Sequence, residues 1–180
     1  NCGGSWDCEG HGVAIAVRKK RFEVHAPKQL ALHSEMQRSL LTVRVQVPSS
    51  RLALLVATAH LESGAEAAEI RQKQLEAVGQ ALSDDTVDAA VFAADCNLAR
   101  QEEVPAAAGL GEDAWALAGR PEDKRWTWPV GGEKGAPRQR FDRIFVQARR
   151  AVARAGTADP QTLELREGTF ALGDSSNTPR

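Results

Sequence analysis

Three short polar clusters in this chain terminate or interrupt apolar runs, and their residue types are those that handle phosphate or activate water. The first is Thr58-Ala59-His60-Leu61-Glu62-Ser63, the second Ala94-Asp95-Cys96-Asn97-Leu98, and the third Arg140-Phe141-Asp142-Arg143-Ile144-Phe145. A histidine can donate to an oxygen that gains negative charge, and an aspartate can orient or deprotonate a water. Each cluster also has a structural reading. His60 at a strand end fits a hydrogen-bonded structural histidine, and Asp95 with Asn97 fits an Asx turn or a helix cap. Asp142 between two arginines fits a buried ion pair. Residue by residue, both readings stay open.

The elements that must position these clusters are legible from period and punctuation. Residues 12–17 (GVAIAV) read as a short strand running into the basic Arg18-Lys19-Lys20-Arg21. In residues 40–47 (LLTVRVQV), Val43, Val45 and Val47 alternate with Arg44 and Gln46, the period of a strand. Pro48-Ser49-Ser50 makes a turn, and residues 51–59 (RLALLVATA) resume as a strand apolar enough to be buried on both faces, closing a hairpin. Residues 65–82 change to a helical period, with Leu75, Val78 and Leu82 on one side together with Arg71 and Gln74. Residues 88–94 (DAAVFAA) are a buried strand that runs into Asp95, and residues 140–146 (RFDRIFV) are another. Between them, prolines at 105, 121, 129 and 137 and many glycines predict loop with a short helix near 113–118. The His60 and Asp95 clusters thus follow apolar strands directly, where a sheet can project them into one cleft.

Composition narrows the classes. The chain has 180 residues, 23 basic and 24 acidic side chains (23 − 24 = −1), and 42% hydrophobic residues, as in a globular domain. No apolar run approaches the ~20 residues of a membrane-spanning helix. Three cysteines, an odd number, make a poor disulfide framework and favour a reducing compartment over secretion. Charge is segregated: residues 60–119 carry 3 basic and 12 acidic side chains, and residues 120–154 carry 10 and 4. A basic stretch of this kind suits phosphates, and an uneven solvated surface is its structural counterpart.

Taken together and in order, the segments ATAHLES, FAADCNL, WTW (residues 126–128) and RFDRIFV resemble the endonuclease/exonuclease/phosphatase superfamily, and within it the 5′-tyrosyl-DNA phosphodiesterase family. That resemblance implies an α/β fold, two packed mixed β-sheets forming a sandwich flanked by helices. It implies a Mg²⁺-dependent phosphodiesterase, with Mn²⁺ in second place, acting on DNA 5′ ends that carry a tyrosyl or peptide adduct. His60, Asp95 and Asn97 are the implied catalytic residues: Asp95 for the attacking water, Asn97 for that water and a phosphate oxygen, His60 for the phosphoryl oxygens. Ser63, Arg100, Trp128 and Arg140 are implied DNA contacts, Glu62 and Asp142 supporting groups, and Asp95 a metal ligand, directly or through water. The resemblance also implies a monomer in the nucleus or cytoplasm. Against the family pattern, residues 1–180 read as one domain lacking its first strands, with their metal-binding glutamate, and its closing Ser-Asp-His segment, so the chain is expected to have little activity alone. Other phosphoesterase branches of the superfamily, and a non-catalytic DNA-binding remnant, are the competing readings.

Overall fold

The computed structural model describes residues 12–25, 27–98, 108–128 and 138–149. Their centre is a seven-stranded mixed sheet built from β1 (Glu23–Val24), β2 (Lys28–Ala31), β3 (Ser39–Val47), β4 (Leu52–Ala59), β5 (Ala89–Asp95), β6 (Glu112–Asp113) and β7 (Asp142–Ala148). The strand order is β1-β3-β4-β5-β7-β6, with β2 also paired to β3. The predicted hairpin is present as the antiparallel β3–β4 pair, in which Leu40 faces Ala59 and Val47 faces Leu52. β4 and β5 run parallel, a pairing that requires a crossover; α1 (Ala68–Leu82) supplies it, entered through a 3₁₀ turn at Ala65–Ala67. A short α2 (Ala114–Leu117) follows β6, close to the helix expected near 113–118.

One face of the sheet is the core. Leu55, Ala57 and Ala59 of β4, Ala90, Phe92 and Ala94 of β5, and Phe145 of β7 are buried there in one cluster with Leu75, Val78 and Leu82 of α1. Phe92 and Phe145, opposite each other across β5–β7, stack with ring centroids 6.3 Å apart. Gly79 is fixed by packing rather than by its backbone conformation: a Cβ there would lie 1.5 Å from the Ala108 carbonyl oxygen, so α1 accepts the loop at residue 108 only without a side chain.

Two expectations change, and the described residues show part of a third. Residues 12–17 form no strand, although Val13, Ile15 and Val17 are half-buried in alternation with exposed neighbours; without a paired ladder, alternation alone does not make a strand. β4 is buried on one face and half-buried on the other, because α1 covers only one side. The described residues supply one sheet, and a second sheet of the expected sandwich is not among them. The short β1, β2 and β6 carried no periodic signal in the sequence, being two to four residues long. No helix among the described residues is long and apolar enough to cross a membrane.

Candidate active site

His60 and Asp95 stand immediately after β4 and at the end of β5, the two parallel strands. An isolated bridge joins them, and the Leu61 N–H donates to the Asp95 carbonyl at 2.9 Å, so the parallel seam runs on past the named strands. His60 Nε2 lies 3.5 Å from Asp95 Oδ2, both side chains about one-third exposed. The chain then turns back at Asn97, whose φ of 48° is left-handed, a conformation asparagine tolerates better than most residues. The Asn97 N–H donates to Asp95 Oδ1 at 3.0 Å, so the predicted Asx turn is real and also carries the site. Asn97 Nδ2 donates to the Leu61 carbonyl at 3.0 Å and to Ser63 Oγ at 3.2 Å. Those bonds occupy both amide hydrogens and leave Oδ1 as the remaining group, an acceptor suited to a water hydrogen and not to a phosphate oxygen. Cys96, between the two, points into the core; burial pushes its thiol up to about 12, which keeps it protonated and inert.

A second layer holds this cluster from the side of residues 33–38. Glu62 is 1% exposed and still ionised. Burial opposes its charge, but hydrogen bonds from Ser34 Oγ (2.5 Å), the Glu35 and Met36 N–H groups (both 3.0 Å) and Gln74 Nε2 (3.3 Å) outweigh it and hold the carboxyl below its ordinary range. Gln74 also donates to the His33 carbonyl and accepts from the Glu62 N–H, and Arg71 donates to the Glu62 and Gly64 carbonyls. The polar pair on the apolar side of α1 therefore closes the backbone of the His60–Ser63 turn. The loop so pinned delivers Arg38, whose Nη1 is 3.1 Å from His60 Nδ1 and whose Nη2 donates to Ser63 Oγ at 3.2 Å.

On the other side, a cleft of about 470 Å³ opens beside Asp95, lined among others by Thr58, Asp113, Trp115, Thr127, Arg140 and Asp142. Arg140 clasps Asp113 with both Nη atoms and lies 4.7 Å over the Trp115 ring. Burial raises the Asp113 carboxyl, but the Arg140 hydrogen bond and charge, the Trp115 N–H and the Arg143 charge outweigh it and leave it below the ordinary range. Arg140 is thus committed to a nearly buried ion pair, and a DNA contact through it would compete with Asp113. Asp142 is exposed and sits opposite Asp95 in the β5–β7 register, its N–H donating to Thr127 Oγ1 at 3.1 Å. Trp128 is 57% exposed and bridged to Gln139, which removes core packing as its role and leaves an aromatic face at the surface. Arg100 lies outside the described residues.

The structure therefore brings His60, Asp95, Asn97 and Ser63 together, with Glu62 behind them. Arg38 and Asp113 were missed from sequence. Among the described residues no group of three His, Cys, Asp or Glu side chains converges. A magnesium ion takes one or two carboxylates and completes its shell with water and substrate phosphates, so Asp95 is the residue of this cluster that would hold one, Asp113 being taken by Arg140.

No family model matches the chain. Its fold nonetheless has counterparts in known structures: the catalytic domain of human Nocturnin shares it with a TM-score of 0.54 at 17% identity, over 71% of this chain and 49% of that one. A crystal structure of Danio rerio TDP2 complexed with single-strand DNA product superposes with a TM-score of 0.63 at 30% identity, over 73% of this chain and 56% of that one. The chain shares the fold of the endonuclease/exonuclease/phosphatase proteins. Among them, the chain is similar to tyrosyl-DNA phosphodiesterase 2: 34% identical to the Bos taurus protein over 167 residues, covering 87% of this chain and 44% of that protein. To the Danio rerio protein it is 35% identical over 164 residues, covering 86% and 42%. The chain spans less than half the length of these curated relatives.

Proposed function

We propose that the protein hydrolyses phosphodiesters at DNA 5′ ends, with a 5′-phosphotyrosyl bond as substrate, in the repair of topoisomerase adducts. The observation that carries this reading is the joining of His60, Asp95, Asn97 and Ser63 at the ends of two parallel strands beside an open cleft. Similarity to tyrosyl-DNA phosphodiesterase 2 supports the substrate class. Asp95 takes or orients the proton of the attacking water, and Asn97 Oδ1 accepts its other hydrogen. His60 and Ser63 donate to the phosphoryl oxygens as negative charge builds. Trp128 offers an exposed ring on which a base or sugar can stack, worth about 1–3 kcal/mol per stacked base. Magnesium dependence, with Mn²⁺ as the substitute, and a nuclear or cytoplasmic location belong to this proposal through the resemblance.

A substrate panel tests it: a 5′-phosphotyrosyl oligonucleotide, an abasic duplex and a soluble phosphomonoester, each with Mg²⁺ and with chelator. The expected result, with the full-length protein, is turnover of the tyrosyl substrate that chelator and Asp95→Asn both abolish. Preference for the abasic duplex or the monoester, or turnover indifferent to Asp95→Asn, would overturn it.

A further inference from the structure

We propose that Arg38 is a positioning residue that sets the direction in which His60 and Ser63 present their protons, turning both into donors for the reaction. The proposal rests on the functional reading above for its ligand, and on the hydrogen bonds alone for its geometry.

A guanidinium has N–H groups and no acceptor, so any hydrogen bond it makes has a known direction. Arg38 Nη1 is 3.1 Å from His60 Nδ1, and Nδ1 must therefore accept. The single proton of the neutral ring then sits on Nε2, the nitrogen that faces Asp95 Oδ2. Ser63 Oγ receives Arg38 Nη2 and Asn97 Nδ2, both at 3.2 Å. A hydroxyl has two lone pairs and one proton; with both lone pairs engaged, the proton points away from Arg38 and Asn97. One rigid fork thus orients two donors. Arg38 Nη2 also reaches Met36 Sδ at 3.4 Å, and the buried Nε has no hydrogen-bond partner among the described residues. The fork is consequently held by its Nη contacts and by the loop that carries it. That loop is pinned by the Glu62 carboxylate through Ser34, Glu35 and Met36, and Ser34 Oγ also accepts the Arg38 N–H at 2.9 Å. Lysine, a single point donor, cannot serve both partners in fixed geometry.

The test is a long-range ¹H–¹⁵N correlation on the histidine-labelled full chain at a pH of about 8.5, well above the ordinary histidine range of about 6.5. His60 is expected as the Nε2–H tautomer. Arg38→Met should give a mixture of the two tautomers, and Arg38→Lys should partly restore the original one. A wild-type ring protonated on Nδ1, or an Arg38→Met spectrum with the tautomer unchanged, overturns the proposal. Should Arg38→Met fail to fold, Arg38→Ala, which also removes every N–H donor of the side chain, is read by the same criterion. On the 5′-phosphotyrosyl oligonucleotide, Arg38→Met is expected to lower kcat about 100-fold with KM little changed, and to cost far less in a His60→Ala background. A raised KM with unchanged kcat overturns it. Absence of wild-type turnover sinks the substrate reading, whereas the tautomer result stands or falls independently of it.

Discussion

The two walls that flank His60 and Asp95 are both built around a carboxylate that stays ionised under cover, yet they hold it by different means. Glu62 is stabilised by dipoles: a hydroxyl, two backbone N–H groups and an amide, none of them a cation. Asp113 is neutralised by a cation, Arg140, seated on Trp115 and backed by the Arg143 charge. Backbone donors cannot swing away, so the Glu62 wall specifies where residues 33–38 lie and hence where Arg38 reaches. An ion pair of two side chains fixes less backbone; it sets the charge of the cleft wall and withdraws arginine from the basic stretch. The wall that must place a positioning group is the one tied to main chain.

Removing the dipole-held carboxylate should have the larger effect. Glu62→Ala strands the Ser34, Glu35 and Met36 donors and is expected to destabilise by about 3 kcal/mol, read as a lowered urea midpoint with unchanged slope. Asp113→Ala leaves Arg140, whose side chain is 13% exposed, without its anion, and about 2 kcal/mol is expected from the same measurement. If Asp113→Ala proved the more damaging, the contrast between the walls would be reversed. Acid sharpens it further. Both carboxyls sit lower when folded than when unfolded, so each contributes stability that is complete above the unfolded value of about 4 and is lost as pH falls through the folded one. The urea midpoint should therefore drop steeply below pH 4, and Glu62→Gln should flatten that slope; an unchanged slope would show that Glu62 does not titrate differently on folding. The smallest effect belongs to the exposed Arg125–Glu122 pair at 3.2 Å, where Glu122→Ala should change stability by about 0.5 kcal/mol or less.

Much of this was legible because period and position coincide. Apolar runs at 40–47, 52–59 and 88–94 marked β3, β4 and β5, and polar residues directly following the last two marked the site. Arg71 and Gln74 stood on the apolar side of a helix, where their types made sense only if they met buried polar groups, as they do. Arg38 was invisible for a different reason. It lies in a loop with no period, and its nearness to His60 follows only from the β3–β4 register, in which Leu40 opposes Ala59; continued by two residues, that register puts Arg38 beside Leu61, next to His60. Arg140 was half legible, because a sequence shows its charge and not its partner: Asp113 is 27 residues away and brought near it by the β6–β7 pairing. Backbone donors, which decide the state of Glu62, leave no mark in a sequence at all.

The parallel seam between β4 and β5 also governs when the site comes into being. A hairpin such as β3–β4 needs only a tight turn and can close early, but β4 and β5 pair only after residues 60–88, including the whole of α1, have been ordered between them. His60 and Asp95 are the last rungs of that late seam. The site is accordingly complete only where that seam is closed: a chain whose β4–β5 amides exchange freely is one in which the histidine and the aspartate are apart.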